Sequence, residues 1–144
     1  MNLVTVTTDT ATICIFDPLA MRHRKDDVGD WWSLPCNELE EIRLRNAIFL
    51  NVGSDGTYSV LIGPGSQENG LVLSLKVPSG KLFVGPGEEM TGGGFEPDGD
   101  WGGEFIPLES GDYRVGISRD GEALDVRLTL QQPFENKISE LVRI

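Results

Sequence analysis

Basic residues are scarce in this chain, and over residues 82–113 they are missing altogether: no Lys, Arg or His occurs there. The whole sequence carries 12 Lys and Arg against 23 Asp and Glu, for a formal net charge of −11. Phosphate backbones are gripped by Lys and Arg that displace condensed counterions, so this balance speaks against nucleic acid and against anionic membrane surfaces. A basic protein partner, a cation or simple solubility fits the charge better. Histidine is nearly absent too, with only His23. Any Ser/His/Asp or Cys/His site has to use that one ring. No GxSxG accompanies it, and Cys14 lies between Ile13 and Ile15, where a thiol is ordinarily buried and inert. Two cysteines and one histidine do not complete a four-ligand zinc site without carboxylates or a second chain. The pair Cys14 and Cys36 reads as two reduced thiols, with a disulfide left open. No apolar run reaches the roughly 20 residues of a membrane span, and the N-terminus lacks a basic and an apolar leader region, so cytoplasm is the expected compartment.

What is present is period two. Segments 47–52 and 57–62 alternate around GSDG, and 71–77 and 81–84 alternate around PSG. Residues 113–119 and 122–130 do so around Asp120-Gly121, with Leu124, Val126, Leu128 and Leu130 on one side and Asp125, Arg127 and Thr129 on the other. The first and last pairs read as hairpins, the middle pair as strands joined by a turn, and Asp55-Gly56 is expected to supply positive φ to the first. Residues 4–7 and 11–16 are two further strands. Helical signal is confined to 17–24, where Asp17-Pro18 makes a start signal, and to 35–43, where Leu39 and Ile42 share a face. Eight or nine short strands separated by Gly, Pro and Asp turns predict an all-β chain: an antiparallel β-sandwich or jelly-roll with one or two short helices, in one domain over 1–144.

Within the base-free stretch, residues 85–104 hold eight glycines and six acids: Glu88, Glu89, Glu96, Asp98, Asp100 and Glu104. Alternation resumes on both sides, so this is a loop within a domain, not a linker, and long loops in compact domains tend to carry function. GxxxxGK[ST] does not occur, and the acids would repel a phosphate. Asp98, Asp100 and Glu104 form a candidate Ca²⁺ set on a pliable backbone, although the EF-hand spacing is absent. Phe95 and Trp101 place aromatics among the acids, the composition of a recognition anchor. Trp31 and Trp32, adjacent on an extended segment, are expected to point to opposite sides, one into the core and one outward. Arg22-His23-Arg24-Lys25 is expected to pair with Asp26, Asp27 and Asp30.

The runs TDTAT at 8–12, ICIFD at 13–17, DWW at 30–32, GSDGTY at 53–58, GPGEE at 85–89, TGGG at 91–94 and GDYRV at 111–115 together resemble an uncharacterised family of small bacterial proteins. The resemblance implies a bacterial cytosolic protein with no catalytic residues to transfer. In size, acidity and single-domain form the chain is also similar in type to immunity proteins that neutralise secreted toxins. The expectation is therefore a non-enzymatic binding protein without a cofactor, whose partner is a protein such as a basic toxin. Glu88, Glu89, Phe95, Glu96, Asp98, Asp100 and Trp101 are the expected contact residues. A Ca²⁺- or carbohydrate-binding sandwich module and a hydrolase using carboxylates alone are the alternatives.

Overall fold

A computed structural model describes residues 1–24, 31–67, 69–90 and 102–144 of this protein. Nine strands form two sheets: β1 (Asn2–Thr8), β2 (Thr12–Phe16), β3 (Ala47–Asn51), β4 (Gly56–Pro64), β5 (Leu71–Val77), β6 (Lys81–Pro86), β7 (Glu104–Pro107), β8 (Gly111–Asp120) and β9 (Ala123–Leu130). The larger sheet has the order β1-β4-β9-β8-β5 and the smaller β3-β2-β6-β7. All pairs are antiparallel except β4 with β9. The all-β sandwich expected from the sequence is thus present, with one parallel pair inside it.

Only one of the two expected hairpins forms. β8 and β9 pair from Tyr113↔Leu130 to Asp120↔Ala123, and Gly121 takes φ 62° at the turn. The links β3–β4 and β5–β6 instead carry the chain from one sheet to the other. In the first link Gly53 holds φ 88° and Gly56 φ 154°, whereas Asp55 is not in the left-handed region. The reason lies in the kind of strand joined. In the larger sheet β1, β4 and β9 bury alternate residues and leave the outer face to solvent. In the smaller sheet every residue of β2, and all of β3 except Asn51, is buried. A strand covered on both faces reads as a continuous apolar run, as TICIF and AIFLN do, and β3 pairs with the like strand β2 instead of the half-exposed β4.

The second cover of the smaller sheet comes from residues 17–46. A 3₁₀ helix (Pro18–Arg24) packs on β5 and β6, and α1 (Pro35–Arg43) packs on β3. Between them Trp31 and Trp32 sit in a short 3₁₀ turn. That turn, unlike an extended segment, lets both rings point inward: they are 5% and 3% exposed. The Trp31 ring meets Phe49 edge-on at 6.2 Å. The expectation of one outward tryptophan is therefore corrected. Asp17, fully buried, starts the excursion by accepting from Leu19 N and holds the β5–β6 link by accepting from Ser79 N at 2.7 Å and Ser79 Oγ.

A strap formed by residues 131–144 closes the same side. Asn136 is buried and spends its whole amide on main chain: Oδ1 accepts from Ser74 N, and Nδ2 donates to Ser74 O and Ile42 O, each at 2.8 Å. Asn136→Ala leaves three buried main-chain groups without that partner and is expected to cost about 2–3 kcal/mol, measured by urea denaturation. A loss within ~0.5 kcal/mol, the range of ordinary surface changes, would show the strap to be dispensable.

Candidate protein-interaction site

Strand register gathers the surface acids. Thr8 pairs with Gly56, Pro86 with Ile13, Val84 with Glu104, and Ser59 with Ala123. The 8–12 and 53–56 connections, the β8–β9 turn and both roots of the 85–104 loop consequently lie at one end of the sandwich. Asp9, Asp55, Glu104, Asp120 and Glu122 are exposed there, and Glu88 is half-buried. Among the described residues the cations at this end are Arg143 and Arg119, and Arg119 is occupied with the carbonyls of Val52, Gly121 and Ile144. At the opposite end a groove of about 450 Å³ opens between the sheets, with Ile62, Pro64, Ile106, Leu128 and Leu130 among its lining.

The expected contact residues fall into three groups. Glu88 stands on a 3₁₀ turn (Gly87–Met90) directly after β6, and its carboxylate reaches across to the other sheet. Oε1 accepts from Thr8 Oγ1 at 2.9 Å and from Thr10 Oγ1, and Oε2 accepts from Asp9 N at 3.0 Å. The Thr8 hydroxyl in turn accepts from Thr10 N and Thr12 N. This knot fixes the β1–β2 connection, in which Ala11 takes φ 52°. Glu89 is buried. Beneath it Cys14 Sγ donates to Gly85 O and Pro86 O at 3.4 Å. Burial, then the charges of Glu89 and Glu88, push this thiol well above the ordinary range, so it stays protonated and is no nucleophile. Glu104 opens β7 and is exposed, next to a half-exposed Phe105 whose ring lies 5.1 Å from that of Phe83. Phe95, Glu96, Asp98, Asp100 and Trp101 lie outside the described residues, as do Asp26, Asp27 and Asp30. Of the calcium candidates only Glu104 is described. Among the described residues no group of three His, Cys, Asp or Glu side chains converges to hold a metal ion. No helix among them is long and apolar enough to cross a membrane. Cys14 and Cys36 are both free thiols.

Sequence reasoning missed two buried carboxylates on α1. Glu41 is fully buried and accepts from Arg24 Nε at 3.2 Å and Asn46 Nδ2 at 3.0 Å, with His23 Nε2 at 2.6 Å from Oε1. Of the Arg22-His23-Arg24-Lys25 cluster, His23 and Arg24 therefore pair with α1, Arg24 also reaching Glu40 at 2.9 Å and lying over the Trp31 ring. A carboxylate–imidazole pair is half of a triad, but among the described residues no hydroxyl or thiol hydrogen-bonds His23. Glu38 accepts from Asn51 Nδ2 at 2.9 Å, and burial raises its pKa above the ordinary 4.5. The signal was spacing: Glu38, Glu41 and Ile42 share one helical face, the face that turns inward.

Two outcomes follow from these contacts. Below its ordinary pKa Glu38 is neutral in both folded and unfolded chains; as pH rises, the unfolded chain releases the proton first, and the native state loses relative stability up through the raised folded value. Glu38→Gln keeps an acceptor for Asn51 and removes the buried charge. Its melting temperature is expected to match wild type near about pH 4 and exceed it at about pH 7; an identical offset at both values would contradict the assignment. Glu88→Ala frees Asp9 N and two threonine hydroxyls and is expected to cost about 1–3 kcal/mol, with faster amide exchange at Asp9. Unchanged exchange there would mean that Glu88 does not hold the connection.

The fold is found in other solved structures. The protein titled crocagin biosynthetic gene J aligns over 91% of this chain and 96% of its own, at 14% identity and a TM-score of 0.52. ComJ from Bacillus subtilis, titled an inhibitor of the DNA degrading activity of NucA, aligns over 89% of this chain and 94% of its own, at 11% identity and a TM-score of 0.53. At such identities the likeness is one of fold. No curated protein matches the sequence. Over residues 1–144 the chain belongs to a family of unknown function, DUF6386.

Proposed function

We propose that this protein is a non-enzymatic inhibitor that binds a basic protein partner, in the manner of an immunity protein against a nuclease toxin. The observation that carries this reading is the acidic end of the sandwich, where exposed carboxylates from three connections lie with Glu104 around the roots of the 85–104 stretch, whose sequence also holds Glu96, Asp98 and Asp100. The fold supports it, since ComJ, described as an inhibitor of a DNA-degrading protein, has the same architecture over nearly its full length.

The physics of such an inhibitor follows from its target. A nuclease grips phosphates with Lys and Arg, and an acidic surface competes for that same basic patch. A field from many like charges steers encounter and raises the association rate, most strongly at low salt. Once docked, Phe95 and Trp101 are the side chains suited to desolvated contact. Glu88 and Glu89 contribute field but are engaged within the fold, so Glu96, Asp98 and Asp100 are the acids of the 85–104 stretch chosen for substitution.

The test is inhibition. Each basic nuclease encoded beside this gene is assayed on plasmid DNA with and without equimolar protein. The expected result is loss of DNA degradation by one of them. The triple variant Glu96→Gln, Asp98→Asn, Asp100→Asn is expected to associate about tenfold more slowly at low salt, with a flatter salt dependence. If none of the nucleases is slowed at low salt, the inhibitor reading is wrong. If inhibition persists with an unchanged association rate in the variant, the loop acids are not the steering surface.

A further inference from the structure

A β-sandwich of two open sheets has four edge strands, and edges left unprotected are templates for another chain. Three of the four are managed here. β5 is covered at Ser74 by the Asn136 amide and at Lys76, whose N–H donates to Arg45 O. β3 is covered at Asn51, which exchanges hydrogen bonds with Val142 O and Ile144 N of the strap. β7 is only four residues long, starts on Glu104 and ends on Pro107, and both a charge and a proline are edge-blocking devices.

β1 has none of these. Its seven residues, NLVTVTT, contain no charge and no proline, and it pairs with β4 without a bulge from Asn2↔Ile62 to Thr8↔Gly56. Which of its main-chain groups are open follows from the neighbouring ladder. Ser59 N donates to Glu122 O and so points toward β9, away from β1. Thr5↔Ser59 is therefore a non-hydrogen-bonded pair, and the alternation of an antiparallel ladder makes Asn2, Val4, Val6 and Thr8 the residues bonded to β4. The N–H and C=O of Leu3, Thr5 and Thr7 point to the open side, and among the described residues nothing receives them. The same three residues carry exposed side chains, Leu3 being 65% exposed. The edge is straight, β-branched and pre-ordered, so an added strand gains main-chain bonds without ordering the receiving one.

We infer that the β1 edge receives an extended segment of a basic partner protein as a sixth strand of the larger sheet. Charge selects this occupant over a second copy. The edge runs into the acidic end, where Asp9 follows Thr8 and Asp55 precedes its partner Gly56, both exposed. A strand flanked by Lys or Arg is attracted there, whereas two chains of net charge −11 repel one another. Strand addition of this kind draws affinity from the main chain and selectivity from alternate side chains. The inference deepens the inhibitor reading, but its test does not use a nuclease.

The probe is a synthetic peptide alternating valine and threonine with lysines at both ends, added to the full-length chain at low salt. Amide hydrogen exchange is read residue by residue. In the free protein the amides of Leu3, Thr5 and Thr7 are expected to exchange fast, and those of Val4 and Val6 slowly. Saturating peptide is expected to slow Leu3, Thr5 and Thr7 by about tenfold or more. Thr5→Pro removes an outward N–H at a position where an edge strand tolerates proline, and is expected to abolish the protection with little change in melting temperature, whereas Thr5→Val retains it. Protection absent, or confined to other strands, overturns the proposal whatever the variant does. So does protection of β1 without peptide that rises with protein concentration, which would identify a second copy as the occupant. If the nuclease assays fail and β1 is still protected by peptide, the inhibitor reading falls and the edge assignment stands.

Discussion

A sheet whose two faces are both apolar needs two covers, and most of this molecule's organisation follows from that constraint. The larger sheet covers one face of β2, β3 and β6. The other face is closed by the excursion between β2 and β3 and by the C-terminal strap, neither of which has a long element to rely on. α1 is nine residues long, short of what holds together alone in water. These pieces are held by polar groups buried among them: Asp17 on the β5–β6 link, Glu41 on the 18–24 segment and Asn46, Glu38 on Asn51, and Asn136 on Ser74 and Ile42. Each such contact contributes modestly when made and costs more when one partner is lost, so the cover is specified by pairing as well as by apolar packing.

The same division explains how much the sequence disclosed. Strand positions were legible because alternation and Gly-rich turns are local signals, and the two helices were legible from Asp17-Pro18 and from the 35–43 spacing. Strand partners were not. The GSDG and PSG turns resemble hairpin turns in composition, and only the contrast between alternating strands such as TVT and continuous ones such as TICIF tells that a link crosses between sheets. That contrast was present in the residues. The parallel β4–β9 pair, by contrast, depends on contacts far apart in the chain, for which no local pattern exists. Trp31 and Trp32 went astray for a related reason: opposite-facing neighbours are a property of extended backbone, and a 3₁₀ turn removes it.

For the interaction site, the sequence disclosed composition but not gathering. The base-free stretch marked Glu88, Glu89 and Glu104, while Asp9, Asp55, Asp120 and Glu122 come from separate turns and meet them only through register. Nor did it distinguish acids that work inside the fold. Asp17, Glu38, Glu41 and Glu89 are buried, and Glu88 is bound to the 8–12 connection.

That distinction bears on what the net charge of −11 can do. A carboxylate with a nearby cation, as Glu41 has in Arg24, adds little to the field beyond a Debye length of roughly 8–10 Å. Glu38, its pKa raised by burial, is held closer to neutrality than a surface acid. The field an approaching protein meets is therefore set by the exposed carboxylates, and at the acidic end these outnumber the cations, one of which is tied to main-chain carbonyls. Buried carboxylates thus keep the cover in place without weakening the asymmetry outside, and the β1 edge, uncharged from Asn2 to Thr8, leads into the acidic end. A partner strand with lysines or arginines at its flank would find main-chain bonds and charge at the same place, whereas a neutral strand would find only the first.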